Sequence, residues 1–181
     1  MIGFMPSIYK DELVYSWFAR YYAHSGHPAY VFAIEDLLER KNIRPNVEFV
    51  NNLNFNAREI MIKMISMEEL VLHHTMFPYY RFIENTRLHN ALKSMAESGE
   101  DAHSLLPVPK NKADEQPHYI KYCPVCAAEA REAYGETYFT RSANIRNVDI
   151  CAKHKCKLKN TNIERSGKQS ARLYVAEVEI R

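Results

Sequence analysis

Glycine is scarce in this chain, five of 181 residues, where about 7% is usual. That scarcity argues against a β-sandwich or a phosphate-loop enzyme and leans the chain towards helix. No run of about 18 apolar residues occurs, so no segment reads as a membrane span. The opening stretch, MIGFMPSIYKDE, lacks a basic segment followed by an apolar stretch and a small-residue cleavage site, so it does not read as a secretory signal. A glycine-rich phosphate loop, a G-x-S-x-G elbow and an HExxH pair are all missing. Neighbouring carboxylates such as Glu35-Asp36 and Glu68-Glu69 fall where helix N-terminal turns or solvent faces account for them. With no catalytic constellation, the expectation is a protein that is not an enzyme.

What is present is ordinary globular material: 46% hydrophobic, 12% aromatic and 25% charged residues, with a length that predicts one domain or one domain plus a small appendage. Leu13, Trp17 and Tyr21, with Val14 and Phe18 beside them, mark an apolar helix stripe from Asp11 to Ser25-Gly26. Pro28 suits a first helical turn, and Val31, Ile34, Leu37 and Leu38 predict a second helix reaching Lys41-Asn42. After a polar connection, Ala57 to Ile65 predicts a third, with Ile60, Met61, Met64 and Ile65 inward. Ser66 and Glu69 have capping-box spacing, so a fourth starts at Met67 and runs through His74. Glu84 to Met95, with Leu88, Leu92 and Met95 on one face, predicts a fifth, ended by Ser98-Gly99.

This divides the chain into a helical domain (1–98), a proline-containing linker without periodicity (99–118) and a second module (119–181). Within the module, Ala127 to Tyr134 favours a short helix that Gly135 closes. Thr137 to Ile150 suits one or two short strands, and 173–180 alternates as a strand would. That last strand stops at Arg181 without a visible partner, so the native chain is expected to continue. The fold class expected is mainly α, with an N-terminal helix-turn-helix-like bundle followed by a small α+β metal-binding knuckle module.

All four cysteines lie in this last third. Cys123-x-x-Cys126, then Cys151-x-x-His154 after 24 residues, forms two knuckles whose donors can converge tetrahedrally on zinc. Such spacing in a chain without an export signal reads as metal binding in a reducing cytosol and not as a disulfide framework. Four protein ligands leave no open position, so the Zn2+ would organise structure. Cys156 is a fifth candidate, able to replace His154 or to stand as a free thiol, and His118 reads as a surface histidine. A zinc hydrolase would need one of the four ligands to be absent so that water could bind.

Charge divides the same way. Residues 1–120 carry 12 Lys and Arg against 15 Asp and Glu, a net of −3; residues 121–181 carry 12 against 7, a net of +5. Lys153, Lys155, Lys157 and Lys159 alternate across the second knuckle, continued by Arg165, Lys168 and Arg172. Such a stripe can follow a phosphate backbone of double-stranded DNA, or be a solvated basic face. Arg141 and Arg146 would extend it. The helix pair within 11–41 has helix-turn-helix scale, but Glu35, Asp36 and Glu39 suit a protein contact better than DNA. Of His73-His74, one reads as packed and one as exposed. Trp17, Tyr21-Tyr22 and Tyr79-Tyr80 read as core aromatics before base-stacking ones.

Several blocks line up with a known family. Pro6 followed by Glu12-Leu13-Val14-Tyr15-Ser16-Trp17-Phe18-Ala19-Arg20, then His74-Thr75-Met76-Phe77-Pro78-Tyr79-Tyr80, come first. Tyr122-Cys123-Pro124-Val125-Cys126, Tyr134-Gly135-Glu136-x-Tyr138-Phe139-x-Arg141, Cys151-x-Lys153-His154 and Leu158 follow. In order, they resemble the TniQ/TnsD family of target-selection proteins of bacterial transposons. The resemblance implies a zinc finger on Cys123, Cys126, Cys151 and His154. It also implies an adaptor that engages a target as DNA or through an RNA-guided CRISPR complex and recruits the transposon AAA+ ATPase, the helical part facing the ATPase. Phe139 stands where that family usually has tryptophan, and Ala152 and Lys155 replace a common proline and glycine. A zinc-stabilised transcriptional regulator, binding an operator alone, is the rival reading.

Overall fold

The computed structural model describes residues 2–80, 86, 89–91, 93–94, 118–165 and 172–180. It is mostly helical, with a two-stranded sheet and a cysteine–histidine cluster in the C-terminal part. Helix α1 (Val14–Ser25) buries every residue from Val14 to Tyr21 and ends at Gly26, whose φ of 71° is the left-handed C-cap conformation. Helix α2 (Tyr30–Leu37) stops short of the expected Lys41. Leu38 leaves the helix to bridge Leu53 and is itself buried, while Glu39 to Asn42 stay in solvent. Burying Leu38 outweighs continuing a helix whose next turn is charged.

Helix α3 (Phe55–Met61) starts two residues before the predicted Ala57, because the Asn54 side chain caps it by accepting the Asn56 N–H at 2.9 Å. It also ends earlier, so Met64, expected inward, is exposed. Helix α4 (Met67–His74) begins as predicted, with Ser66 Oγ accepting the Glu69 N–H at 3.1 Å. His73 is exposed and His74 buried, its ring nitrogen Nδ1 donating to the Glu12 carbonyl at 2.7 Å. A 3-10 turn follows at Phe77–Tyr80. Of the predicted fifth helix, Thr86, His89, Asn90, Ala91, Lys93 and Ser94 are helical. Leu88, Leu92, Met95 and the 99–117 stretch lie outside the described residues.

Strand β1 (Tyr119–Tyr122) pairs antiparallel with β2 (Lys159–Glu164), with Tyr119 opposite Glu164 and Tyr122 opposite Lys159. The strands expected within 137–150 are corrected to single bridges, Thr140 to Glu12 and Ile150 to Lys157, around a 3-10 turn at Ser142–Asn144. Between β1 and that turn lies helix α5 (Pro124–Tyr134), closed by Gly135 at φ 78°. The tail is corrected too: 173–180 is not a strand but contains one helical turn, α6 (Ala176–Glu179). Its buried residues, Leu173, Ala176 and Ile180, recur at intervals of three and four, so helical spacing prevails over the alternation. Arg131 anchors it, its Nε donating to Glu177 at 2.9 Å, while the Thr137 N–H donates to the same carboxylate at 2.9 Å.

One hydrophobic core runs through both parts of the chain. Trp17, Tyr15, Phe49, Leu70 and Met61 share it with Ile120, Ala127, Phe139, Ile163, Leu173 and Ile180. Backbone bonds tie the parts directly, Leu13 N–H to Phe139 O at 2.9 Å and Arg141 N–H to Asp11 O at 2.7 Å. The Phe139 N–H adds a bond to Ser16 Oγ at 3.0 Å.

Asn144, fully buried, serves as a strand partner for β1. Its Oδ1 accepts the Lys121 N–H at 2.9 Å, and its Nδ2 donates to the carbonyls of Lys121 at 3.0 Å and Thr140 at 2.9 Å. Asn144→Ala takes the amide from those three groups at a buried position, and we expect a loss of about 2–4 kcal/mol in urea unfolding. A loss within 0.5 kcal/mol, the usual size for surface changes, would show that water replaces the amide.

Candidate metal centre

Two tight turns bring the donors together. Cys123 is the N-cap of α5 and Pro124 its first residue, so the helix start throws Cys126 back towards Cys123. The Cys126 N–H points at Cys123 Sγ (3.5 Å) and the His154 N–H at Cys151 Sγ (3.4 Å), the same turn in both knuckles. In the second, the Lys155 N–H bonds the Cys151 carbonyl at 2.9 Å, and Lys155 takes a φ of 56°. That is left-handed backbone, which glycine adopts without the steric cost a lysine bears.

Cys123, Cys126, Cys151 and His154 place one donor atom each within 4.8 Å of one another. His154 Nδ1 lies 3.4 Å from Cys123 Sγ, 3.2 Å from Cys126 Sγ and 3.7 Å from Cys151 Sγ, and the sulphurs of Cys126 and Cys151 are 3.8 Å apart. Four ligands around a tetrahedral ion, with metal–sulphur bonds of about 2.3 Å and metal–nitrogen bonds of about 2.0 Å, would stand about 3.5–3.8 Å apart. The donor set thus fits such an ion in both geometry and chemistry. Burial alone would raise the Cys123 thiol. Hydrogen bonds from the Cys126 N–H and the neighbouring thiols carry it below its ordinary value.

The residue that reasoning from sequence missed is Glu129. Its Oε1 accepts from His154 Nε2 at 3.1 Å, which turns Nδ1 towards the sulphurs. Such a carboxylate behind a ligating histidine orients the ring and raises its basicity. The available signal was its place on α5 three residues after Cys126, the same helix face. Cys156 is half-buried, with its Sγ 3.5 Å from Cys123 Sγ, outside the compact foursome. His118 is exposed and not part of the cluster.

The structure separates the basic residues. Lys155, Lys157 and Lys159 are exposed, and Lys153 is too but bonds Glu129 at 2.5 Å. Arg141 is used internally, its Nε on Asp11 at 3.2 Å and its Nη1 on the Leu72 carbonyl at 2.7 Å. Arg146 reaches Glu48 at 3.4 Å and Arg165 the same oxygen at 3.0 Å. No helix among the described residues is long and apolar enough to cross a membrane.

A helical body carrying a Cys3His cluster at metal-ligand distances defines a class of mainly helical proteins with a cysteine–histidine knuckle module. Comparison with known proteins gives the particular family: its sequence model, TniQ, matches residues 4–158, and the chain belongs to that family. The chain is also similar to the transposon Tn7 transposition protein TnsD of Escherichia coli, 25% identical over 152 residues, which cover 82% of this chain and 30% of that protein. It therefore spans under a third of that relative's length.

Proposed function

We propose that this protein is a non-catalytic, zinc-binding adaptor that marks a target site in DNA transposition and recruits an AAA+ ATPase there. The observation that carries the reading is the Cys3His centre lying within the stretch that matches the TniQ family. Three sulphurs and one imidazole suit zinc, and four protein donors leave no position for substrate water. The centre's role is to stiffen the second knuckle, from which Lys155, Lys157 and Lys159 project without an ion pair among the described residues. These lysines meet DNA phosphates. Helices of the acidic N-terminal half, where Glu35 and Glu39 are exposed, face the ATPase.

Replacing Lys155, Lys157 and Lys159 with alanine is expected to weaken DNA binding alike for all sequences. Three lost phosphate contacts would lower the slope of log affinity against log salt by up to about 2.7. Gel-shift titrations at several salt concentrations read both, and an unchanged slope would remove these lysines from the interface. The function itself is tested by selecting bound fragments from a random genomic duplex library with the zinc-loaded chain, with and without the ATPase. An enriched sequence means that this protein reads the target. Uniform, salt-sensitive recovery with ATPase capture means that a partner, such as an RNA-guided complex, supplies the address. Recovery of neither DNA nor ATPase would overturn the proposal.

A further inference from the structure

The two knuckles together hold one more donor than a tetrahedral ion can use. Cys156 Sγ stands 3.5 Å from Cys123 Sγ, within the spacing of two ligands on one ion. Its backbone is held there: the Cys151 N–H donates to the Cys156 carbonyl at 2.9 Å, and Ile150 bridges Lys157. The left-handed turn at Lys155 sends the chain back past the cluster immediately after His154. Cys156 thus sits opposite Cys151 across the turn, on the Cys123 side. Its competitor is secured from outside by Glu129, a residue exposed to solvent and also engaged by Lys153. Glu129 orients the ring, but a hydrogen bond so exposed and shared with Lys153 can open to solvent and release it.

We infer that Cys156 is an alternative fourth ligand, exchanging with His154, so that the same ion can be held by Cys3His or by four cysteines. This rests on the metal-site reading above. In the exchange the Cys156 sulphur takes the position that His154 Nδ1 leaves, and the thiol proton passes to solvent. No oxidant or reductant takes part. Cys123, Cys126 and Cys151 are common to both sets, so the fold around them need not rearrange. Only the turn 152–155 shifts, and its Ala152 and Lys155 are exposed.

The test substitutes Co2+ in the full chain and reads its ligand-field bands, which report coordination number, and its thiolate-to-cobalt charge-transfer band, which grows with the number of sulphurs. In the wild type the bands should be those of a four-coordinate ion with three thiolates. In His154→Ala the ion should remain four-coordinate while the charge-transfer intensity rises by about a third. His154→Ala/Cys156→Ser should bind Co2+ at least tenfold more weakly than His154→Ala. Equal affinity in those two variants, or no gain in charge transfer in His154→Ala, overturns the inference while leaving the Cys3His site intact. A wild type that takes up no Co2+ overturns both. Should His154→Ala fail to fold, Glu129→Ala gives the answer with every donor still present. Its charge-transfer intensity should exceed the wild type's and return to it when Cys156→Ser is added; absence of that rise refutes the exchange.

Discussion

Chelation of the metal is expected to melt the 119–165 region and to lower the thermal midpoint of the whole chain by more than about 10 °C. The local core around the centre consists of Cys123, Ala143, Cys151 and Leu158, with Cys126, Val148 and Cys156 partly buried against it. Two of the four buried members, Cys123 and Cys151, are themselves among the proposed ligands. Without metal, the apolar side chains left there are Ala143, Leu158 and the partly buried Val148, and burying a leucine is worth about 1.5–3 kcal/mol. Ordering each backbone residue costs about 1–2 kcal/mol, so the knuckles cannot hold themselves. Structural zinc in finger peptides supplies about 10–16 kcal/mol of apparent folding energy at neutral pH.

The loss would not stay local, because Ile120, Ala127, Phe139 and Ile163 are built into the core that Trp17 and Tyr15 occupy. In a chain of this size 1 kcal/mol moves the midpoint by about 2–4 °C, so a loss of about 5 kcal/mol gives the stated fall. Far-ultraviolet circular dichroism and Trp17 fluorescence, with zinc and with chelator, would follow it, and Cys126→Ser should reproduce it without chelator. A midpoint indifferent to both would show that the centre does not support the fold.

Arg20→Ala is expected to cost about 3–5 kcal/mol at pH 8 and markedly less at pH 5. Arg20 is almost completely buried and joins the N-terminal segment, α1 and the second module. Its Nη1 donates to Glu12 at 2.9 Å and to the Ser7 carbonyl at 3.0 Å, its Nε donates to Glu136 at 2.9 Å, and its guanidinium lies over the Tyr9 ring. Glu12 is fully buried. Burial raises its carboxyl to about 7, although Arg20 and hydrogen bonds from the Tyr9 N–H and Ser16 hydroxyl pull the other way.

A folded-state value above the ordinary 4.5 means that between pH 4.5 and 7 the folded chain holds a proton that the unfolded chain has released. Stability therefore falls as pH rises through that window. Removing Arg20 takes away a cation that favours the ionised form. The variant suffers most where Glu12 must be charged, and recovers where protonation neutralises it. Urea unfolding at pH 5 and pH 8 would measure the difference. Glu12→Gln, neutral throughout, should lack this contribution to the pH slope. An Arg20→Ala penalty independent of pH would show that Glu12 is not the partner that matters.

How legible each feature was in the sequence depends on how local its cause is. The Ser66 cap, the α1 stripe, the Gly26 and Gly135 terminations and the spacing of Cys123, Cys126, Cys151 and His154 are set by a few adjacent residues, and each could be read directly. β2 could not: Lys159-Asn160-Thr161-Asn162-Ile163-Glu164 buries only Thr161 and Ile163, and reads as polar until β1 lies beside it. The tail misled for the opposite reason, a clean alternation overridden by anchors on Arg131 and the shared core. Glu129 and Asn144 do their work across 25 and 23 residues of chain, a separation over which no periodicity speaks. The basic stripe was visible as composition, but which cations were already engaged depended on Asp11, Glu48 and Glu129, placed by the fold.

The direct seam between Asp11–Ser16 and Phe139–Arg141 has a consequence for how such a protein can change over time. The seam consists of backbone bonds, Leu13 N–H to Phe139 O and Arg141 N–H to Asp11 O, joined by the Phe139 N–H to Ser16 Oγ. Backbone bonds of this kind hold two segments in one register whatever side chains surround them, so a residue inserted or deleted along either segment would shift the second module against α1. Change in length is thus forbidden in a stretch that looks like ordinary core.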